Sequence, residues 1–130
     1  MSKTIKNLFI VDDDDVYVML TKRTIKSTNQ VEKTSVFENG LDAINFLKEN
    51  AGNPDLLPEI ILLDLTMPIM DGWQFLDEFI LLKPKIAHSI KIYIVSSSIS
   101  PYDRSKALRM AEVSEFIIKP ISSEKLLEIF

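Results

Sequence analysis

No cysteine occurs among the 130 residues, which excludes disulfide bonds, thiolate catalysis and cysteine-ligated zinc or iron–sulfur centres. No apolar run approaches the roughly 20 residues of a membrane-spanning helix. The opening Met1-Ser2-Lys3-Thr4-Ile5-Lys6 lacks the long apolar stretch of a signal peptide. Basic residues are not in excess either: 15 Lys and Arg against 19 Asp and Glu leave a net charge of −4. That balance argues against nucleic acid or an anionic membrane as a direct partner. Internal repeats, linkers and low-complexity segments are also missing. What remains is an ordinary globular composition, 46% hydrophobic and 26% charged. The length suits one domain, residues 1–130, that buries roughly two-thirds of its chain surface. The expected setting is soluble and cytoplasmic.

Strand and helix signals alternate along the whole chain. Strands are expected near Ile5 to Val11, Val31 to Phe37, Ile60 to Leu63, Ile90 to Val95 and Glu115 to Ile118. A first helix starts at Asp14 or Asp15, acids that suit capping and the macrodipole, with Val16, Met19, Leu20 and Ile25 as its apolar face. Asn39-Gly40 marks a turn, and Leu41, Ala43, Ile44 and Leu47 give a second helical stripe. Residues 50–58 form a loop with two prolines. Trp73, Leu76, Phe79 and Ile80 mark a third helix after the loop Thr66 to Gly72, with Trp73 expected to anchor helix to sheet. Pro101 opens a fourth helix bearing Ala107, Leu108 and Ala111. Ser122 or Ser123 caps a last helix that runs to Phe130. Five βα units imply an α/β fold: a parallel sheet with right-handed crossovers and helices on both faces.

Charged residues follow directly on three of the apolar runs. Leu8-Phe9-Ile10-Val11 leads into Asp12-Asp13-Asp14-Asp15, Ile60-Ile61-Leu62-Leu63 into Asp64, and Phe116-Ile117-Ile118 into Lys119-Pro120. Short apolar runs read as buried parallel strands. The carboxyl ends of such strands form the ligand crevice of an open α/β sheet. The acids and the lysine should therefore meet on one sheet edge. Clustered carboxylates repel one another, so the site calls for a divalent cation. Taken singly, the same residues have plainer readings: strand-end solvation for Asp12 and Asp13, capping for Asp14 and Asp15, a surface charge for Lys119. His88, the only histidine, reads as a solvated loop residue.

With that set in view, the chain resembles the receiver domain of bacterial two-component response regulators over nearly its whole length. The segments that carry the resemblance are Phe9-Ile10-Val11-Asp12-Asp13-Asp14, Ile61 to Gly72 and Phe116-Ile117-Ile118-Lys119-Pro120. It implies a flavodoxin-like (βα)5 sandwich with strand order 2-1-3-4-5. It also implies phosphorylation of Asp64 by a sensor histidine kinase or phosphotransfer protein. Mg²⁺ would be held by Asp12, Asp13, Asp64 and the backbone carbonyl of Thr66, and Lys119 would pair with a phosphoryl oxygen. A hydroxyl after the fourth strand would act as the switch. Ser96, Ser97 and Ser98 compete for that role; Ser96 is preferred because it directly follows Tyr93-Ile94-Val95, with Ser97 as the alternative. Phe116 reads either as ordinary core or as the aromatic that reports phosphorylation in the family. A cis Lys119-Pro120 bond is implied as well. Ala111-Glu112-Val113-Ser114 departs from the small Gly-Ala pair common before the last strand. With no output domain recognised, the signal is expected to leave through the face formed by the fourth helix, fifth strand and last helix, towards a target protein or a second copy of the chain.

Two rival readings belong to other classes. Asp12-Asp13-Asp14-Asp15-Val16 fits the DxDx(T/V) pattern of haloacid-dehalogenase-type phosphatases, whose first aspartate is the nucleophile. That family needs a longer core and a cap, and it leaves the Asp64 loop unexplained. A pseudo-receiver acting as a constitutive binding module is the other; the intact acids and lysine speak against it.

Overall fold

Apolar runs too short to span a helix pair side by side here, and the segments between them coil back over the sheet. A computed structural model describes residues 4–130. The elements are β1 (Ile5–Val11), α1 (Asp15–Thr28), β2 (Val31–Phe37), α2 (Gly40–Glu49), β3 (Ile60–Leu63), α3 (Gly72–Leu82), β4 (Lys91–Ser96), α4 (Pro101–Leu108), β5 (Val113–Ile118) and α5 (Ser123–Ile129). A 3-10 turn at Lys83–Lys85 follows α3. All strand pairs are parallel, in the order β2-β1-β3-β4-β5. This is the flavodoxin-like arrangement the resemblance implied.

Alternation along each strand splits the core into two layers. Phe9, Val11, Ile61, Leu63, Ile92, Ile94 and Phe116 face α2, α3 and α4, where Ile44, Leu47, Phe75, Phe79 and Ala107 meet them. Leu8, Ile10, Leu62, Tyr93, Val95 and Ile117 face the other way, against Val18 and Ile25 of α1 and Leu126 of α5. Each fully buried Leu, Ile or Phe contributes about 1.5–3 kcal/mol, so β1, β3 and β4, apolar on both faces, hold the sheet together.

Side-chain caps set where the helices begin. Asp14 accepts from the Tyr17 amide at 3.0 Å, Asn39 from the Asp42 amide at 2.8 Å and Ser122 from the Lys125 amide at 3.1 Å. Asp71 and Gln74 form a reciprocal capping box at the start of α3. Asn39 is thus a helix cap, and the turn expected at Asn39-Gly40 is the entry to α2.

Several apolar stripes sit differently from the expectation. In α1 the buried residues are Val18, Thr21 and Ile25, while Val16, Met19 and Leu20 are exposed. Thr21 lies on the inward row with spacing three and four, and its polarity hides that row from a hydrophobicity pattern. Ile80 of α3 and Leu108 of α4 are exposed as well. α4 stops at Leu108, so Ala111 falls outside it, and β5 begins two residues earlier than expected, at Val113. Trp73 is partly buried and packs against the α2–α3–α4 layer. Among the described residues no helix is long and apolar enough to cross a membrane.

Candidate functional site at the carboxyl edge of the sheet

Each charged residue of the site extends the sheet by one step beyond its strand. The Asp12 amide donates to Phe37 O, the Asp64 amide to Val11 O and the Lys119 amide to Ser96 O, each at 2.9 Å. Backbone pairing therefore locks the three residues relative to one another before any side-chain contact forms. By alternation Asp12 continues the row of Ile10, Asp64 that of Leu62 and Lys119 that of Ile117, so all three side chains belong to the α1–α5 side.

Oxygens of Asp12, Asp13 and Asp64 lie within 4.8 Å of one another. Asp12 and Asp64 are buried and Asp13 is exposed. The Lys119 ammonium sits 2.8 Å from Asp12 Oδ2 and 3.6 Å from Asp64 Oδ2. The other Asp12 oxygen accepts from the Asp14 amide at 2.9 Å, and Asp64 Oδ1 accepts from the Leu65 amide at 2.9 Å. Burial, and then the Asp12 charge, raise the Asp64 carboxyl to about 6, against the opposing pull of Lys119. Burial pulls the Lys119 ammonium down, but the Asp12 hydrogen bond and the charges of Asp12 and Asp64 outweigh it and hold the group above its ordinary value. Lys119 pairs with Asp12 and Asp64 and is the one ammonium paired within a cluster of three carboxylates, which leaves the cluster negative. Hard oxygen donors in that number and charge fit a divalent cation such as Mg²⁺.

The Asp64 loop is held in shape by α3. The Gly72 amide donates to Leu65 O at 2.9 Å. A side chain on Gly72 would collide with the Asp64 carbonyl and come within 2.9 Å of Leu65 Cα, so only glycine permits this approach. Lys119-Pro120 is cis, as the resemblance implied.

Not every expected residue joins the cluster. Ser96 is buried, and by alternation it continues the Ile92–Ile94 row on the opposite face from Asp64. Its hydroxyl accepts from the Ser98 amide at 3.0 Å. Ser97 is exposed, and Ser98 donates to Asp103 Oδ2 at 2.8 Å, bracing the loop before α4. Thr66 is exposed next to the site, and its backbone is a hydrogen-bond partner of Asp64. Phe116 is buried in the α2–α3–α4 layer. His88 is half-buried, with Nδ1 3.0 Å from Ser89 O, in the loop before β4 and at the opposite end of that strand from Ser96. One neighbour went unread in the sequence. The Tyr17 ring lies under the Lys119 ammonium, 4.2 Å from Nζ to the centroid. Its only signal is spacing, four residues after Asp13.

Residues 8–130 match the family model described as "Response regulator receiver domain". The chain belongs to that family. Among curated relatives, this receiver is 30% identical over 121 residues to the chemotaxis protein CheY of Listeria monocytogenes, covering 93% of the chain and 92% of CheY. It is 29% identical over 119 residues to protein-glutamate methylesterase/protein-glutamine glutaminase 3 of Burkholderia thailandensis, but spans only 30% of that protein's length. Among solved structures, a two-component response regulator from Cytophaga hutchinsonii superposes with a TM-score of 0.88 at 29% identity, covering 98% of this chain and 95% of that one. The receiver family is typically a signalling module without enzymatic activity of its own, and methylesterase relatives carry additional length beyond the receiver.

Proposed function

We propose that this receiver is a phospho-acceptor switch. Asp64 takes a phosphoryl group from a phosphohistidine on a sensor histidine kinase or phosphotransfer protein. The observation that carries this reading is the convergence of Asp12, Asp13 and Asp64 at the edge of the sheet, with Lys119 paired to Asp12 and Asp64. A carboxylate oxygen of Asp64 attacks phosphorus, a P–O bond forms as the P–N bond breaks, and the donor imidazole leaves and takes up a proton. Catalysis of such a transfer is positioning plus charge stabilisation. Mg²⁺ held by Asp12, Asp13, Asp64 and the Thr66 carbonyl would neutralise charge on the phosphoryl oxygens. Lys119 contributes the second positive charge. The receiver catalyses only its own phosphorylation and dephosphorylation.

Ser96 is the switch hydroxyl in this reading. It must leave the Ser98 amide and turn through the end of β4 to meet a phosphoryl oxygen, and that turn disturbs the loop into α4. Phe116, on β5 beside β4, is placed to respond. Tyr102 and Leu108 of α4, Ile118 of β5 and Leu127 of α5 are exposed apolar residues, a surface suited to a target protein or a second copy of the chain. Neither nucleic acid nor membrane is a direct partner, and the setting is cytoplasmic.

Incubation with acetyl phosphate and Mg²⁺ should add one phosphoryl group by intact mass, and Asp64→Asn should abolish the labile adduct. An acyl phosphate mapped to Asp12 would instead favour the phosphatase chemistry of its DxDx(T/V) run. Absence of any adduct, with no beryllofluoride binding, would favour a constitutive binding module.

A further inference from the structure

Lys119 has two kinds of partner, and only one of them is charged. Asp12 holds the ammonium at 2.8 Å, but Asp12 also belongs to the carboxylate cluster suited to a divalent cation. A cation drawing on the Asp12 oxygens competes directly with the ammonium. A lysine released from its ion pair regains rotamer freedom, which works against holding it at Asp64. The Tyr17 ring is a partner that a hard cation cannot take, because such ions seek oxygen ligands. Its position is fixed from the backbone, since the Asp14 carboxylate that caps α1 accepts from the Tyr17 amide.

We infer that Tyr17 is a positioning residue for Lys119: its ring face keeps the ammonium within reach of Asp64 when Asp12 no longer does. The assignment rests on Asp64 as the phosphoryl acceptor. Cation–π attraction of this kind strengthens when the pair is withdrawn from water, and Lys119 is only 15% exposed. The phenol oxygen has no part in it. It is buried, with the Thr21 side chain and the Ile121 backbone as its polar neighbours. Ring and hydroxyl are thus separable by substitution.

Two measurements on the whole chain test the role. Methylene protons of Lys119 next to the ammonium should resonate upfield because of the ring current, identified by their loss in Lys119→Arg. The shift should persist in Tyr17→Phe and vanish in Tyr17→Leu. With acetyl phosphate and Mg²⁺, Tyr17→Leu should slow phosphorylation by about three- to tenfold, while Tyr17→Phe keeps the wild-type rate. In a Lys119→Ala background, Tyr17→Leu should change the rate no further, which a merely structural role would not produce. An unshifted lysine signal in the wild type, or an equal slowing by Tyr17→Leu with and without Lys119, overturns the assignment. A wild-type chain that forms no adduct marks the failure of the acceptor reading itself, and the positioning role falls with it.

Discussion

The helices that follow β3 and β4 are built in opposite ways. α3, after the Asp64 loop, buries Gly72, Phe75, Leu76, Phe79 and Leu82 and begins with a full capping box. α4, after Ser96, buries only Ala107 in its eight residues and exposes Tyr102 and Leu108. Phosphoryl chemistry needs a carboxylate that does not move, because transfer depends on in-line placement. A switch needs an element with little buried area to give up, so that one hydroxyl and one phosphoryl group can repack it. The firm helix stands behind Asp64, and the loose one follows Ser96; the proposed switch needs both.

The sharpest way to break this contrast is to weaken each helix in turn. Phe75→Ala in α3 should cost about 3–5 kcal/mol in urea denaturation, and Leu108→Ala in α4 should stay within about 0.5 kcal/mol. Similar losses from both would mean that α4 is as firmly packed as α3.

Next in size is the charge that the firm end carries. Asp64 moves from an ordinary 3.8 to about 6 in the folded protein. A folded-state value above the unfolded one stabilises fully below pH 3.8, and that contribution is lost as pH rises through about 6. The shift corresponds to about 3 kcal/mol unscreened, and to about 1–2 kcal/mol with the mouth of the site open to solvent. Without divalent cation, Asp64→Asn should therefore gain about 1–2 kcal/mol at pH 8 and nothing near pH 4. A gain of equal size at both pH values would show that packing, not charge, is responsible. With Mg²⁺, affinity should fall as pH drops through about 6, because Asp64 must be deprotonated to bind.

A smaller effect tests the loop between Asp64 and α3. Ile69 has φ 68° and is exposed, a left-handed conformation that costs a β-branched residue about 1–2 kcal/mol. Ile69→Asn should raise stability by about 1 kcal/mol, and an unchanged urea midpoint would mean that the loop relaxes freely. The smallest effect concerns the clasp between the two helices, where the Lys106 ammonium lies 4.3 Å from the Trp73 ring centroid. Lys106→Gln should cost about 0.5–1 kcal/mol and alter Trp73 fluorescence. A silent tryptophan would show that α4 has no such hold on α3.

Much of this arrangement was legible in the residues. Four of the five strands appear where apolar runs stand, and β2 follows from its β-branched content despite its half-exposed pattern. Asp12, Asp13, Asp64 and Lys119 meet because each ends or follows a parallel strand, and parallel strands in one sheet share one carboxyl edge. Helix faces were less legible. Met19 and Leu20 suggested the wrong side of α1, since Thr21 belongs to the buried row, and Leu108 suggested an α4 more deeply packed than it is.

Composition and order of residues by themselves determined the alternating α/β architecture, the edge on which the acids gather and the absence of thiol chemistry. Those properties follow from local apolar runs and from strand direction, which neighbouring residues encode. Only the tertiary structure decided that Lys119 leans on Asp12 and on the Tyr17 ring, and that Ser96 turns away from Asp64. It alone also decided that α3 is anchored while α4 is loosely held. Those facts depend on the rotation of each helix about its axis and on the packing of residues distant in the chain, where a fraction of a turn exchanges one face for another.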